Sequence, residues 1–254
     1  MYKIAKINFK PKSECPVEVL EQILEHIYNI LVVMKLNGQI IDEGIVEKNN
    51  ETYIATVVTT DDDSLDIKYF NEYVLERIEN FDIEVRIICD DPMATDCCKC
   101  KEHSYYILAI DPELFSSPII CGDCGKEIPL IRIPYVFDEK EHYSILNFQK
   151  IYKSVDNLWM NSLSDRFTKR QIVHHDSQLN QRGLEICKDL ENKLNKPVYY
   201  LLCNPIGGWF EFNKNNKNLS NCPKCGGEFT KVTNNYANKV CNTCRLAFIT
   251  YTEE

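Results

Sequence analysis

The chain has 254 residues, 44% of them apolar, and a formal charge of −9, which describes a soluble globular protein with room for two or three small domains. No stretch approaches the ~18 consecutive apolar residues of a membrane-spanning helix; the longest apolar patch, residues 30–34, is short and polar-flanked, so no membrane partner is expected. Residues 1–91 carry nine Lys/Arg against nineteen Asp/Glu. That balance makes a poor surface for phosphates and a suitable one for a basic protein.

The first 91 residues read as β-α-β-β-α-β. Tyr2 to Phe9 alternate as a strand, and Pro16 suits the first turn of a helix. Leu20, Ile23, Leu24, Ile27, Ile30, Leu31 and Met34 then recur at helical spacing, and Asn37-Gly38 ends the helix. Residues 39–46 and the β-branched 52–60 form strands joined by a turn at 48–51. Asp61, Asp62, Asp63 and Ser64 are N-capping types ahead of a helix marked by Ile67, Phe70, Val74 and Ile78, and residues 81–89 close as a fourth strand. This order predicts a ferredoxin-like domain, a scaffold that names no function.

Asp90-Asp91-Pro92 ends that domain. A second unit is expected over 92–135, where Cys97-Cys98-Lys99-Cys100 is followed by Cys121-Gly122-Asp123-Cys124-Gly125. Cys97, Cys100, Cys121 and Cys124 make two Cys-x-x-Cys turns. Cys98 can replace Cys97, and His103 is near enough to compete. Residues 105–110 read as a strand and 128–134 as an extended, Pro-bounded segment. A helical region with a β-rich end is expected over 136–205: Ile145, Phe148, Ile151, Tyr152, Val155 and Trp159 mark one helix, and Leu179, Gly183, Ile186, Leu190 and Leu194 mark another. Gly183 leaves room for a close approach.

Residues 206–254 carry the strongest signal. Cys222-Pro-Lys-Cys225-Gly226 and Cys241-Asn-Thr-Cys244 have the separation of a zinc ribbon, in which each Cys-x-x-Cys turn presents two thiolates to a tetrahedral Zn²⁺ and a hairpin brings the pairs together. Gly226 fits the positive φ such a turn needs. The preceding Asn/Lys-rich residues 213–218 read as a linker. Thirteen cysteines, an odd number, argue for metal rather than disulfides in a reducing compartment. The first residues lack a signal-peptide core, so a cytoplasmic location is expected. One Zn²⁺ is expected at the C-terminal set and a second at the first set; spacing leaves open whether the sets pair within or across themselves.

Over residues 97–246 the chain resembles a bacterial family of unknown function described as zinc-ribbon-containing, with nucleic-acid binding suggested. The residues that carry the resemblance include Cys121-Gly122-Asp123-Cys124-Gly125, Asp156-Asn157-Leu158-Trp159, Asp176-Ser177-Gln178-Leu179, Gly183-Leu184-Glu185-Ile186-Cys187, Cys222-Pro223-Lys224-Cys225-Gly226 and Cys241-Asn242-Thr243-Cys244-Arg245-Leu246. The resemblance implies zinc more strongly than it implies nucleic acid.

The whole therefore reads as α+β: a ferredoxin-like domain, a cysteine-clamped α/β middle region and a C-terminal zinc ribbon. Four thiolates close a metal site to water and blunt its Lewis acidity, so no catalytic residue is assigned. His174 and His175 carry a weaker hydrolase reading; adjacent histidines point apart on any regular element, and helix entry at Asp176 or Ser177 explains the stretch better. Cys187 reads as a packed core thiol. The expected function is recognition of a macromolecule. A nucleic acid would meet Lys231, Lys239 and Arg245, with Phe229, Tyr236 and Phe248 offered for stacking. The alternative is an immunity-type protein whose acidic surface covers a toxin, such as a basic nuclease.

Overall fold

The period of two written into Ala5, Ile7 and Phe9 is kept in the computed structural model of the chain, which describes residues 2–93, 97–110, 117–202 and 220–249. The linker expected at 213–218 lies outside the described residues. Two compact units form: Met1–Cys97 with Ile128–Tyr143, and Cys98–Glu127 with Ser144–Glu254.

In the first unit β1 (Lys3–Pro11) is followed by α1 (Val17–Glu21), α2 (Ile23–Leu36), β2 (Ile45–Asn49), β3 (Thr52–Thr59), a 3-10 turn (Ile67–Tyr69), α3 (Glu72–Ile78) and β4 (Phe81–Asp90). The strands form one sheet in the order β2-β3-β1-β4, every neighbouring pair antiparallel. Ala5, Ile7 and Phe9 on β1 and Tyr53, Ala55 and Val57 on β3 share one buried face. Ile27, Ile30, Leu31 and Met34 of α2 and Val74 of α3 complete that core, so helical and strand periodicities meet in one apolar layer.

Three local expectations are revised. The helix expected to run on from Pro16 is broken at Gln22, whose φ of −115° leaves the helical range. The second strand starts later, at Ile45, with Ile40 making only an isolated bridge to Thr59. Asp61–Ser64 does not cap a helix: Asn71 does, its Oδ1 accepting from the Val74 amide at 3.0 Å. Ser64 instead donates to the Gln39 carbonyl at 2.8 Å and accepts from Gln39 Nε2 at 2.9 Å. The Ser64 and Gln39 bonds satisfy buried polar groups.

The segment Ile128–Tyr143 joins this unit through its own hydrogen bonds. The His142 amide donates to Leu36 O at 2.7 Å, Asn71 Nδ2 to Lys140 O at 2.8 Å, and Arg132 pairs with the buried Asp61 carboxylate. Leu130 also lies so close to Gly38 (φ +81°) that a Cβ there would come within 2.9 Å of the Leu130 Cβ.

The second unit contains β5 (Tyr106–Leu108), β6 (Ile119–Cys121), α4 (Tyr143–Met160), α5 (Asp165–Val173), α6 (Gln178–Leu194), β7 (Val198–Leu201), β8 (Thr230–Lys231), β9 (Lys239–Cys241) and β10 (Leu246–Phe248). Their six-stranded sheet runs β6-β5-β7-β10-β9-β8. It is mixed: β7 lies parallel to both β5 and β10, and the other pairs are antiparallel. Ser177 caps α6, its Oγ accepting from the Asn180 amide at 3.1 Å. At Gly183 the close neighbour is an aromatic ring: a Cβ there would sit 2.5 Å from Tyr200 Cε2. The Tyr200 hydroxyl reaches past it to Asn180 Oδ1 at 2.7 Å.

Candidate metal centres

Eight cysteines come together as two separate fours, Cys98, Cys100, Cys121 and Cys124, and Cys222, Cys225, Cys241 and Cys244; within each, the sulfurs all lie within 4.8 Å of one another. Cys98 and Cys124 place their sulfurs 3.5 Å apart, and Cys225 and Cys241 theirs 3.6 Å apart. Four sulfurs at ~2.3 Å around one tetrahedral ion are separated by about 3.8 Å, so both sets fit a single thiophilic cation. The sets pair within themselves, which spacing had left open.

The turns are built for this. Gly125 donates to Cys121 O at 2.9 Å and Cys121 to Lys126 O at 2.8 Å; Gly226 donates to Cys222 O at 2.8 Å and Cys222 to Gly227 O at 2.8 Å. Two loops distant in sequence thus repeat one hydrogen-bond pattern, and their glycines take φ of +67° and +70°. That conformation favours a residue without Cβ and agrees with the expectation for Gly226. The turn at Cys241 closes on Arg245, whose amide donates to Cys241 O at 2.9 Å with φ +55°. Backbone amides also aim at the sulfurs: Cys100 N to Cys98 at 3.3 Å, Gly227 N to Cys225 at 3.4 Å and Cys244 N to Cys241 at 3.4 Å. Donors of this kind favour the thiolate.

The first four includes Cys98 where the spacing placed Cys97. Cys97 turns its thiol to the Thr60 carbonyl at 3.7 Å, in the other compact unit from Cys98. Successive side chains of an extended backbone point to opposite sides, so only one of the adjacent pair can face the remaining sulfurs. His103 brings Nε2 to 3.5 Å from Cys98 Sγ and stacks at 5.0 Å on Tyr106, but it is not one of the four.

Burial pushes the Cys98 thiol up strongly and Cys121 up to about 11. Burial also works on Cys124, but the Lys126 amide and neighbouring thiols bring it below the usual range. At Cys225 the Gly227 amide leads, with neighbouring thiols, in lowering the thiol to about 7. Four adjacent thiols cannot all ionise without opposing charge; a divalent cation would supply it, and its binding would release their protons.

Both sets belong to one sheet: Cys121 ends β6 and Cys241 ends β9. Asn234 ties the ribbon to the first set, donating from Nδ2 to Gly122 O at 2.9 Å and to Cys121 O at 3.1 Å.

The residues offered to a nucleic acid are partly committed elsewhere. Arg245 forks onto Glu191, Nε to Oε2 at 2.7 Å and Nη2 to Oε1 at 2.9 Å. Burial opposes ionisation of Glu191, but Arg245 and the Val198 amide hold its carboxyl below the usual range. Phe248 is buried and meets Phe229 at 5.1 Å, and Tyr236 packs on the ribbon core. Lys239 lies 5.9 Å over the Phe229 ring, and Lys231 sits exposed on the edge strand β8.

His174 closes α5 and His175 precedes the Ser177 cap; their carbonyls accept from Asn180 Nδ2 at 2.9 Å and Gln181 Nε2 at 2.6 Å. Cys187 is buried and its thiol is pushed well up by that burial, as for an inert core thiol.

Residues 100–203 match the family described as Domain of unknown function (DUF2310). That match takes in three cysteines of the first set, α4 to α6 and β7, and stops before the second set. No curated protein and no solved structure matches the chain. Among the described residues no helix is long and apolar enough to cross a membrane.

Proposed function

We propose that the protein is a non-catalytic recognition protein scaffolded by two structural Zn²⁺ ions. Cys222, Cys225, Cys241 and Cys244 hold one, and Cys98, Cys100, Cys121 and Cys124 the other. The observation that carries this reading is the pair of sulfur tetrads, each small enough to surround one ion and lined by amides that stabilise thiolates. A tetrathiolate site has no open position for water or substrate. The ion then acts by holding short hairpins together, which bury too little apolar surface to persist alone. For the N-terminal unit we favour the ferredoxin-like arrangement, supported by the strand order β2-β3-β1-β4 and by helices between β1 and β2 and between β3 and β4.

The partner we propose is nucleic acid, bound weakly through Lys231 and Lys239. Arg245 is already neutralised by Glu191, so few phosphates are met and the logarithm of affinity falls with that of salt by a slope of roughly −2. Fluorescence anisotropy at low salt against single- and double-stranded DNA and RNA tests this; no binding to any of them ends it. The acidic N-terminal residues 1–91 favour the rival partner, a basic protein such as a nuclease toxin. An affinity pull-down with and without nuclease treatment separates the two: loss of the captured material on treatment supports nucleic acid, and persistence supports a protein.

A further inference from the structure

β4 is the edge strand of the N-terminal sheet, ten residues long, and every residue from Glu84 to Asp90 is exposed. Among the described residues nothing pairs with its outer side. Bare edges of this length are normally shortened, covered or blocked, because their free amides and carbonyls invite another strand.

The register on β1 fixes which side chains share a face. Ile83, Val85 and Ile87 stand opposite Phe9, Ile7 and Ala5, on the side of the apolar core. Even so, Val85 and Ile87 are 37% and 43% exposed. Glu84 and Arg86 project from the other face, opposite Asn8 and Lys6. Arg86 therefore lies across from a cation, an arrangement that is destabilising between neighbouring strands.

We infer that β4 pairs antiparallel with β4 of a second copy of this chain about a two-fold axis through Val85, making one continuous eight-stranded sheet. About that axis Val85 faces Val85, Ile83 faces Ile87 and Glu84 faces Arg86, each of the last two pairs occurring twice. The strand is thus self-complementary in both apolarity and charge, as an isologous contact requires. The incoming Glu84 supplies an anion for Arg86, which among the described residues has none in ion-pair distance beside Lys6. The bulge between Ile87 and Cys89, where two β4 residues span one step of β1, ends the straight ladder at Ile87, so the paired stretch about Val85 is residues 83–87. The contact is independent of either metal centre and of the proposed nucleic-acid partner.

Sedimentation velocity and light scattering on the zinc-loaded full chain, across a concentration series, test the inference. Wild type is expected to be a dimer. Glu84→Arg and Arg86→Glu alone each place like charges opposite one another twice and should weaken association roughly ten- to thirtyfold. The double exchange restores both pairs and should restore the dimer. Hydrogen exchange gives a reading without substitution: the β4 amides should gain protection as concentration rises. A wild-type monomer at every concentration, single reversals that leave the mass unchanged, a double exchange that stays monomeric, or β4 amides indifferent to concentration would each overturn it.

Discussion

Asn234 and Cys121, 113 residues apart in sequence, are joined by a hydrogen bond of 3.1 Å from the Asn234 amide to the Cys121 carbonyl. The same nitrogen donates to Gly122 O at 2.9 Å, and Asn234 Oδ1 accepts from the Tyr236 amide at 2.8 Å. One side chain therefore holds the loop of the second cysteine set against the turn of the first. Replacing Asn234 by Ala removes all three of these bonds, although Cys121 O keeps the Gly125 amide, and should cost about 1–3 kcal/mol. Thermal unfolding reads the loss, and chelator challenge should release metal from the first centre faster than in wild type.

Metal analysis distinguishes the two adjacent cysteines of the first set. Wild type should bind two equivalents of zinc. Cys98→Ser and Cys222→Ser should each bind one, because a tetrahedral site loses a thiolate. Cys97→Ser should keep two, since its thiol faces Thr60. Equal retention in the Cys97 and Cys98 variants would remove the assignment.

Gly183→Ala probes the packing of α6 on β7. A Cβ at 2.5 Å from Tyr200 Cε2 forces the ring aside and strains its bond to Asn180. Overpacking of this kind costs roughly 1–3 kcal/mol, and denaturant unfolding should show a lower midpoint.

His142 is buried, its Nδ1 has no hydrogen-bond partner among the described residues, and burial lowers its pKa to about 3, partly countered by a bond to the Leu130 carbonyl. The unfolded chain binds this proton near pH 6.5, so in the window between about 6.5 and 3 the unfolded state holds more protons than the folded one. Stability attributable to His142 is complete above pH 6.5 and declines as pH falls, by about 2 kcal/mol at pH 5. His142→Leu should remove that part of the slope. Comparing the two proteins at pH 7.5 and pH 5 isolates it from acid release of metal, which both share.

The cysteine turns were legible because tetrahedral thiolate coordination demands a particular spacing and a residue of positive φ after the second thiolate, which Gly226 supplies and Arg245 supplies less visibly. Cys97 and Cys98 could not be told apart, since the choice depends on which way an extended backbone faces. The apolar stripe of α2 and the alternation of β1 were equally plain, because each buries one regular face. α5 escaped notice: only Thr168 and Ile172 are buried in its nine residues, too few to write a period. That residues 128–143 join the N-terminal unit was illegible too, because the tie is made by backbone groups and by the side chains of Asn71, Arg132 and Asp61, which carry no periodic signal. Arg245 looked available to phosphate because its acceptor, Glu191, stands 54 residues away.

The parallel pairing of β10 with β7 bears on how this architecture could be rearranged. Tyr200 donates its amide to Arg245 O at 2.8 Å and Leu202 to Ala247 O at 3.1 Å. Excising residues 220–249 would strand those donors and turn an interior strand into a border. The ribbon is not an interchangeable cassette, and a chimera that swaps it alone should misassemble unless β7 travels with it.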